Sequence, residues 1–141
     1  MKEAAFVGGW HSPLEKEAFR IASAQDASLV FCVSKALDRF TISGDVESRL
    51  NDGKVLLLTH CSPKAKRISR DASIRRNELV IALATALLVL SAPLGSSTLN
   101  LAKEALRHGK RVLTIEHRMN KELLGRNALP ATCDNILTVL E

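Results

Sequence analysis

Five short apolar runs punctuate the chain: Ala4–Val7, Leu29–Val33, Val55–Thr59, Leu87–Leu90 and Val112–Ile115. None alternates with polar residues, which is the pattern of strands buried on both faces of a parallel sheet. Between the runs, apolar positions recur at helical spacing. In Pro13–Ala24, one side carries Leu14, Ala18, Phe19, Ile21 and Ala22, while Glu15, Lys16 and Arg20 lie elsewhere. Ser73–Ala86 and Thr98–His108 read the same way, the latter through Leu99, Ala102, Ala105 and Leu106 to a stop at Gly109. Met119–Leu124 predicts a shorter helix ending near Gly125. Ser43-Gly44-Asp45 opens another within the indistinct stretch Lys35–Leu50, and Ile136–Leu140 fits either an extra strand or a helical turn.

Strands therefore alternate with helices. The expected architecture is α/β, a single Rossmann-like three-layer sandwich over residues 1–141. It has about five parallel strands in the order 3-2-1-4-5, right-handed crossovers and helices on both faces. Aromatic residues make up only 4% and Tyr is absent. Ala, Leu, Val and Ile must fill the core, which favours helices on a parallel sheet over two packed sheets. The longest apolar run, Leu79–Ala92, is shorter than the ~20 residues of a membrane span and reads as a helix running into a strand. Met1-Lys2-Glu3 does not open a signal peptide. Cys32, Cys61 and Cys133 are widely spaced with no CxxC, as for reduced thiols, so a cytoplasmic protein with no membrane partner is expected.

Charge sharpens the picture. The net charge is +5, and residues 64–76, KAKRISRDASIRR, hold six basic side chains against Asp71 alone. That segment carries the whole excess, which points to an anionic partner.

In such a sheet, ligands bind beyond the carboxyl ends of the strands. The first strand runs into Gly8-Gly9-Trp10-His11-Ser12-Pro13-Leu14-Glu15. The glycines admit a ligand close to the backbone, and the helix start offers N–H groups to an anion. Ser12 and Glu15 equally form a capping box with a purely structural role. Trp10 either stacks on a base or plugs the sheet edge. There is no GxGxxG fingerprint and no ribose-binding acid, which argues against a classical NAD site. The fourth strand runs into Pro93-Leu94-Gly95-Ser96-Ser97-Thr98, a turn suited to phosphate, expected to lie near the first turn and lacking the lysine of a Walker loop. After the third strand, His60-Cys61-Ser62-Pro63 matches no zinc motif, and adjacent Cys and His on one loop rarely face each other. Glu116 and His117 follow the fifth strand, where an ion pair with an arginine is favoured over acid–base work. No catalytic residue, metal or cofactor is assigned.

Several of these segments, in order, resemble the DNA-processing protein A (DprA/Smf) family. Ser73-Ile74-Arg75-Arg76-Asn77-Glu78-Leu79-Val80 resembles its RNRxIA segment. Leu87–Ala92, Ser96–Thr98, Ala102, Ala105 and Gly109-Lys110-Arg111-Val112 resemble its VVEA…GSLxTAxxAxxxGR-V stretch. Asn120, Leu123, Leu124, Asn127 and Ala128 resemble its closing NxLIxxGA, and Gly8–Glu15 looks like the opening of shorter members. Ser97 stands where the family has Gly, Leu101 where it has Thr, and Glu78 where it has a second Arg. The SGxAxGID loop and the flanking helical or winged-helix domains have no counterpart in these residues. The family belongs to a wider Rossmann-like nucleotide-binding group, SLOG, which includes phosphoribohydrolases. The resemblance implies single-stranded DNA binding, dimerisation and recombinase loading, the last weakened by the missing flanking domains. Arg76 and Asn77 map to the RN pair, and Ser97 and Thr98 to the GS turn.

The combined expectation is a homo-oligomeric domain that binds single-stranded DNA or a nucleotide phosphate. Its ligand would be held by Gly8, Gly9, Trp10, Ser12, Arg70, Arg75, Arg76, Asn77, Gly95, Ser96, Ser97 and Thr98. The alternatives are a small nucleotide hydrolase or phosphoribohydrolase using Glu116 or Glu104, and a nucleotide-sensing module. The phosphoribohydrolase motif PGGxGTxxE is absent, which argues against the former.

Overall fold

The structure, a computed structural model, describes residues 3–64 and 69–141. Lys66 and Arg67 of the basic segment lie outside the described residues. The chain divides into two compact units, Glu3–Leu83 and Ala84–Glu141.

In the first unit, β1 (Ala5–Gly8), β2 (Ser28–Val33) and β3 (Val55–Thr59) form a parallel sheet in the order β1-β2-β3. Register places Leu29 and Phe31 beside Val55 and Leu57. Helix α1 (Pro13–Ala24) brings Phe19 and Ala22 to that face, and α2 (Gly44–Asn51) brings Val46 and Leu50. The intervening residues Val30 and Cys32 point the other way. There α3 (Arg70–Leu83) packs over β1 and β2, so the sheet has helices on both faces. Edge strand β3 lies beyond that cover, and its Leu56 is 54% exposed despite the unbroken apolar run. Arg49 of α2 donates from Nη1 to Ser23 O (3.1 Å) and from Nη2 to Ala27 O (2.9 Å), tying the α1–β2 connection down.

In the second unit, β4 (Ala86–Val89), β5 (Arg111–Thr114) and β6 (Leu129–Pro130) form a parallel sheet in the order β4-β5-β6. Its helices are α4 (Ser97–Arg107), α5 (Lys121–Leu124) and α6 (Cys133–Leu140). Leu99, Ala102 and Ala105, at successive three-residue steps, form the buried stripe of α4. Thr132 caps α6 by accepting from Asn135 N–H (3.2 Å), which resolves Ile136–Leu140 as helix.

The α/β class holds, with three differences in detail. Among the described residues there are six strands in two hydrogen-bonded sheets; the sixth is two residues long, too short to leave a periodic signal. The expected pairings 3-2, 2-1 and 4-5 are all present. Helix α3 begins at Arg70 rather than Ser73, because Ser69 Oγ accepts from Ala72 N–H (3.0 Å) and Ser69 O from Ser73 N–H (3.1 Å). Arg70, Arg75 and Arg76 therefore all lie on one helix.

Asn120 is the most heavily used polar side chain of the second unit. It is 1% exposed. Its Oδ1 accepts from Ala92 N–H (2.8 Å), while Nδ2 donates to Leu90 O (3.2 Å) and Ile115 O (2.9 Å). One amide thus closes the chain beyond β4 onto the chain beyond β5. Asn120→Ala leaves three backbone groups unpaired and should cost about 3 kcal/mol in urea unfolding. Asn120→Asp should cost more at pH 7, because a carboxylate then faces two carbonyl oxygens.

Glu122 links α5 to α4. It accepts from Arg126 Nε (2.8 Å) and lies 3.3 Å from Lys103 Nζ. The bonds from Arg126 and then Lys103 hold its carboxyl below the ordinary Glu value. A carboxyl lowered by folding stabilises the chain above its unfolded value, and that stabilisation disappears as pH falls through the folded one. Glu122→Gln should therefore lower the urea midpoint at pH 7, and the difference should shrink as pH falls past the ordinary Glu value of about 4.3 and vanish only below the lowered folded value.

Candidate functional site

Strand β1 ends in two glycines, each overlain by a side chain. Trp10 takes a left-handed backbone conformation, φ +50°. Its ring turns back over Gly8, where an added Cβ would lie 3.2 Å from Trp10 Cε2. The indole Nε1–H donates to Val30 O (3.1 Å), and the ring meets Phe19 edge-on at 5.4 Å between centroids. Of the two roles open to Trp10, the structure displays the plug at the sheet edge. The strained φ is held by that hydrogen bond and the Phe19 contact.

Gly9 lies against Arg76. An added Cβ would sit 2.7 Å from Arg76 Cζ and 2.8 Å from Nε and Nη1, so any side chain here would displace the guanidinium. The guanidinium of α3 is thus laid on the backbone at the end of β1. It is half-buried, and its Nε–H donates to Asn77 Oδ1 (2.9 Å). Among the described residues no carboxylate lies within ion-pair distance of Arg70, Arg75 or Arg76. The charge of Arg76 also reaches Cys32 at the end of β2. Burial pushes the Cys32 thiol up, and Arg76 partly opposes that shift. Arg70 and Arg75 stand exposed on the same helix.

The start of α1 is already in use. Ser12 Oγ accepts from Glu15 N–H (3.2 Å), and Glu15 Oε2 accepts from Ser12 N–H (2.9 Å), completing the capping box. Pro13 has no N–H, and the Glu15 carboxylate answers the helix dipole. This terminus is a weak place for an anion. The start of α4 is more open. Gly95 adopts φ +79°, Ser96 Oγ accepts from Leu99 N–H (3.1 Å), and Ser97 and Thr98 are exposed with no acid in the first turn.

The carboxylates considered for hydrolysis occupy surface positions. Glu104 pairs with Arg107 and with His108 (3.0 Å) on α4. Glu116 is exposed, and its neighbour His117 uses Nδ1 to accept from Met119 N–H (3.2 Å). Among the described residues no group of three or more His, Cys, Asp or Glu is placed to hold a metal ion.

The family of DNA recombination-mediator protein A matches residues 21–138. The chain belongs to that family. Two solved structures share its fold. DNA processing protein A (DprA) of Streptococcus pneumoniae superposes with a TM-score of 0.81 at 17% identity, over 96% of this chain and 51% of that one. DNA processing protein A of Helicobacter pylori, whose structure concerns its mode of binding single-stranded DNA, gives 0.66 at 18% identity, over 96% and 79%. The present chain thus spans about half the length of the pneumococcal protein. No curated protein sequence matches it.

Family membership puts the Arg76–Asn77 pair in a new light. The two residues singled out by the RN resemblance are joined side chain to side chain, with the glycine turn of β1 directly beneath. The contact between Gly9 and Arg76, and the closure by Asn120, were not readable as contacts. The sequence named the residues, but register and helix phase decided which of them meet.

Gly9→Ala should fold with a stability within about 1 kcal/mol of the parent, since the group that must move is the end of a flexible side chain. It should displace the guanidinium, read as loss of the hydrogen-bonded shift of the Arg76 Nε–H in NMR spectra.

Proposed function

We propose that the chain binds single-stranded DNA through phosphate contacts at the strand ends, with Arg76 at the centre. The observation that carries this reading is a half-buried guanidinium held against Gly9 with no acidic partner among the described residues. Such a cation is set for an external anion, and its Nη groups suit a phosphate oxygen pair. Arg70 and Arg75 add exposed charge along α3, and Asn77 orients Arg76. Gly8 makes room for the Trp10 ring and Gly9 for the Arg76 guanidinium, so the two glycines shape the site rather than touch the ligand. Taken by itself, the turn Gly95–Thr98 of the second unit offers amides and the hydroxyls of Ser97 and Thr98 to a phosphate, with Ser96 shaping the turn. Ser12 and Trp10 act by holding the β1–α1 turn. A nucleotide phosphate shares this chemistry and competes for the same arginine. The reading includes a cytoplasmic homo-oligomer, as implied by the family resemblance and by the odd number and wide spacing of the cysteines.

Fluorescence anisotropy with labelled oligo-dT tests it. Binding should weaken steeply with salt, with a logarithmic slope of about −0.7 per phosphate contact. Arg76→Ala should weaken binding about tenfold or more, the worth of a charge-assisted contact. Arg70→Ala and Arg75→Ala should each flatten the salt slope. Undetectable binding at low salt, or an affinity unchanged by Arg76→Ala, would overturn the proposal. Competition by nucleoside monophosphates at comparable concentration would identify the mononucleotide instead.

A further inference from the structure

The turn after β3 brings together a thiol, an imidazole and a cleft that phosphate binding does not use. Cys61 Sγ lies 3.6 Å from His60 Nε2, within hydrogen-bond reach for sulfur. Adjacent residues on a loop seldom meet in this way, and here the turn is fixed from below. Thr59 Oγ1 lies 2.7 Å from Lys35 O and 3.1 Å from Val33 O, and it accepts from Cys61 N–H (3.0 Å). One hydroxyl thus locks the ends of β2 and β3 together and sets the backbone of Cys61. Cys61 lines a cleft of about 270 Å³ with Ala36, Leu37, Asp38, Thr59 and Pro63. His60 Nδ1 is buried without a partner among the described residues. A buried ring nitrogen left unpaired is costly and calls for an explanation.

The three cysteines differ in setting. Cys32 is fully buried, Cys133 is exposed at the start of α6, and Cys61 alone combines partial exposure, a neighbouring base and a cleft. We propose that Cys61 is a reactive thiol that exchanges with small disulfides admitted to this cleft, with His60 as its proton acceptor. The Cys61 proton passes to His60 Nε2 as Sγ attacks one sulfur of the disulfide. The S–S bond breaks, and the departing thiolate takes the proton back from the imidazolium. The products are a mixed disulfide on Cys61 and one free thiol, with no net oxidant required. Asp38 in the cleft favours a disulfide with cationic ends.

Cystamine is therefore the probe, with the sites of modification followed by peptide mass spectrometry. In the folded chain Cys61 should be modified at least about threefold faster than Cys133, since His60 Nε2 stands where it can take the thiol proton as Sγ attacks. Cys32 should stay protected. His60→Gln should slow Cys61 and leave Cys133 unchanged, and in urea the Cys61 to Cys133 ratio of the parent should fall towards one. Protection of Cys32 reports that the variant is folded. If His60→Gln exposes Cys32, the ratio in the folded parent against its value in urea decides alone. A Cys61 no faster than Cys133 in the folded chain overturns the proposal. So does an unchanged Cys61 rate in a folded His60→Gln variant, or a ratio unaltered by urea.

Discussion

At the carboxyl end of a parallel strand the ladder stops while the backbone is still partly buried, and its remaining N–H and C=O groups need partners. In this protein side chains at the strand ends and in the following turns supply them, and one reaches a carbonyl within the neighbouring strand β2. Asn120 satisfies Leu90, Ala92 and Ile115, Thr59 bridges Val33 and Lys35, and the Trp10 indole answers Val30. Each bond closes one turn into a fixed shape. The turns that bear the candidate chemistry are rigid because those backbone groups cannot be left unpaired.

The same requirement explains why some polar residues are unavailable to a ligand. Ser12 and Ser96 look like phosphate-binding residues by type and position, yet their side chains complete helix caps, Ser12 together with Glu15. Arg76 differs. Its single bond to Asn77 orients the guanidinium without neutralising it, and Gly9 is small enough to let it lie on the backbone. The distinction between scaffold and site thus rests on what is left over after the backbone is satisfied.

The family match over residues 21–138 takes in α3 and the Asn120 closure, and begins beyond the glycine turn of β1. Gly8 and Gly9 lie outside that match, and the structure adds the ring and the guanidinium that cover them. The Cys61–His60 turn is a local property of this chain, set by the Thr59 lock.

By itself the sequence determined the α/β class, the five longer strands to within a residue or so and the bounds of α1, because apolar periodicity and the Ser12–Glu15 cap are local signals. It also marked Arg76, Asn77 and Asn120 through resemblance. It did not show where α3 begins, since Ser69 is one serine among several until its hydroxyl is seen on Ala72 N–H. Strand β6 was invisible because two residues carry no period. Only the tertiary structure decided that Arg76 lies on Gly9, that Trp10 turns inward and that Cys61 faces His60. Those contacts depend on strand register and on the rotation of each helix about its axis. Both are fixed by packing between segments far apart in the chain, and neither is encoded in the spacing of any one segment.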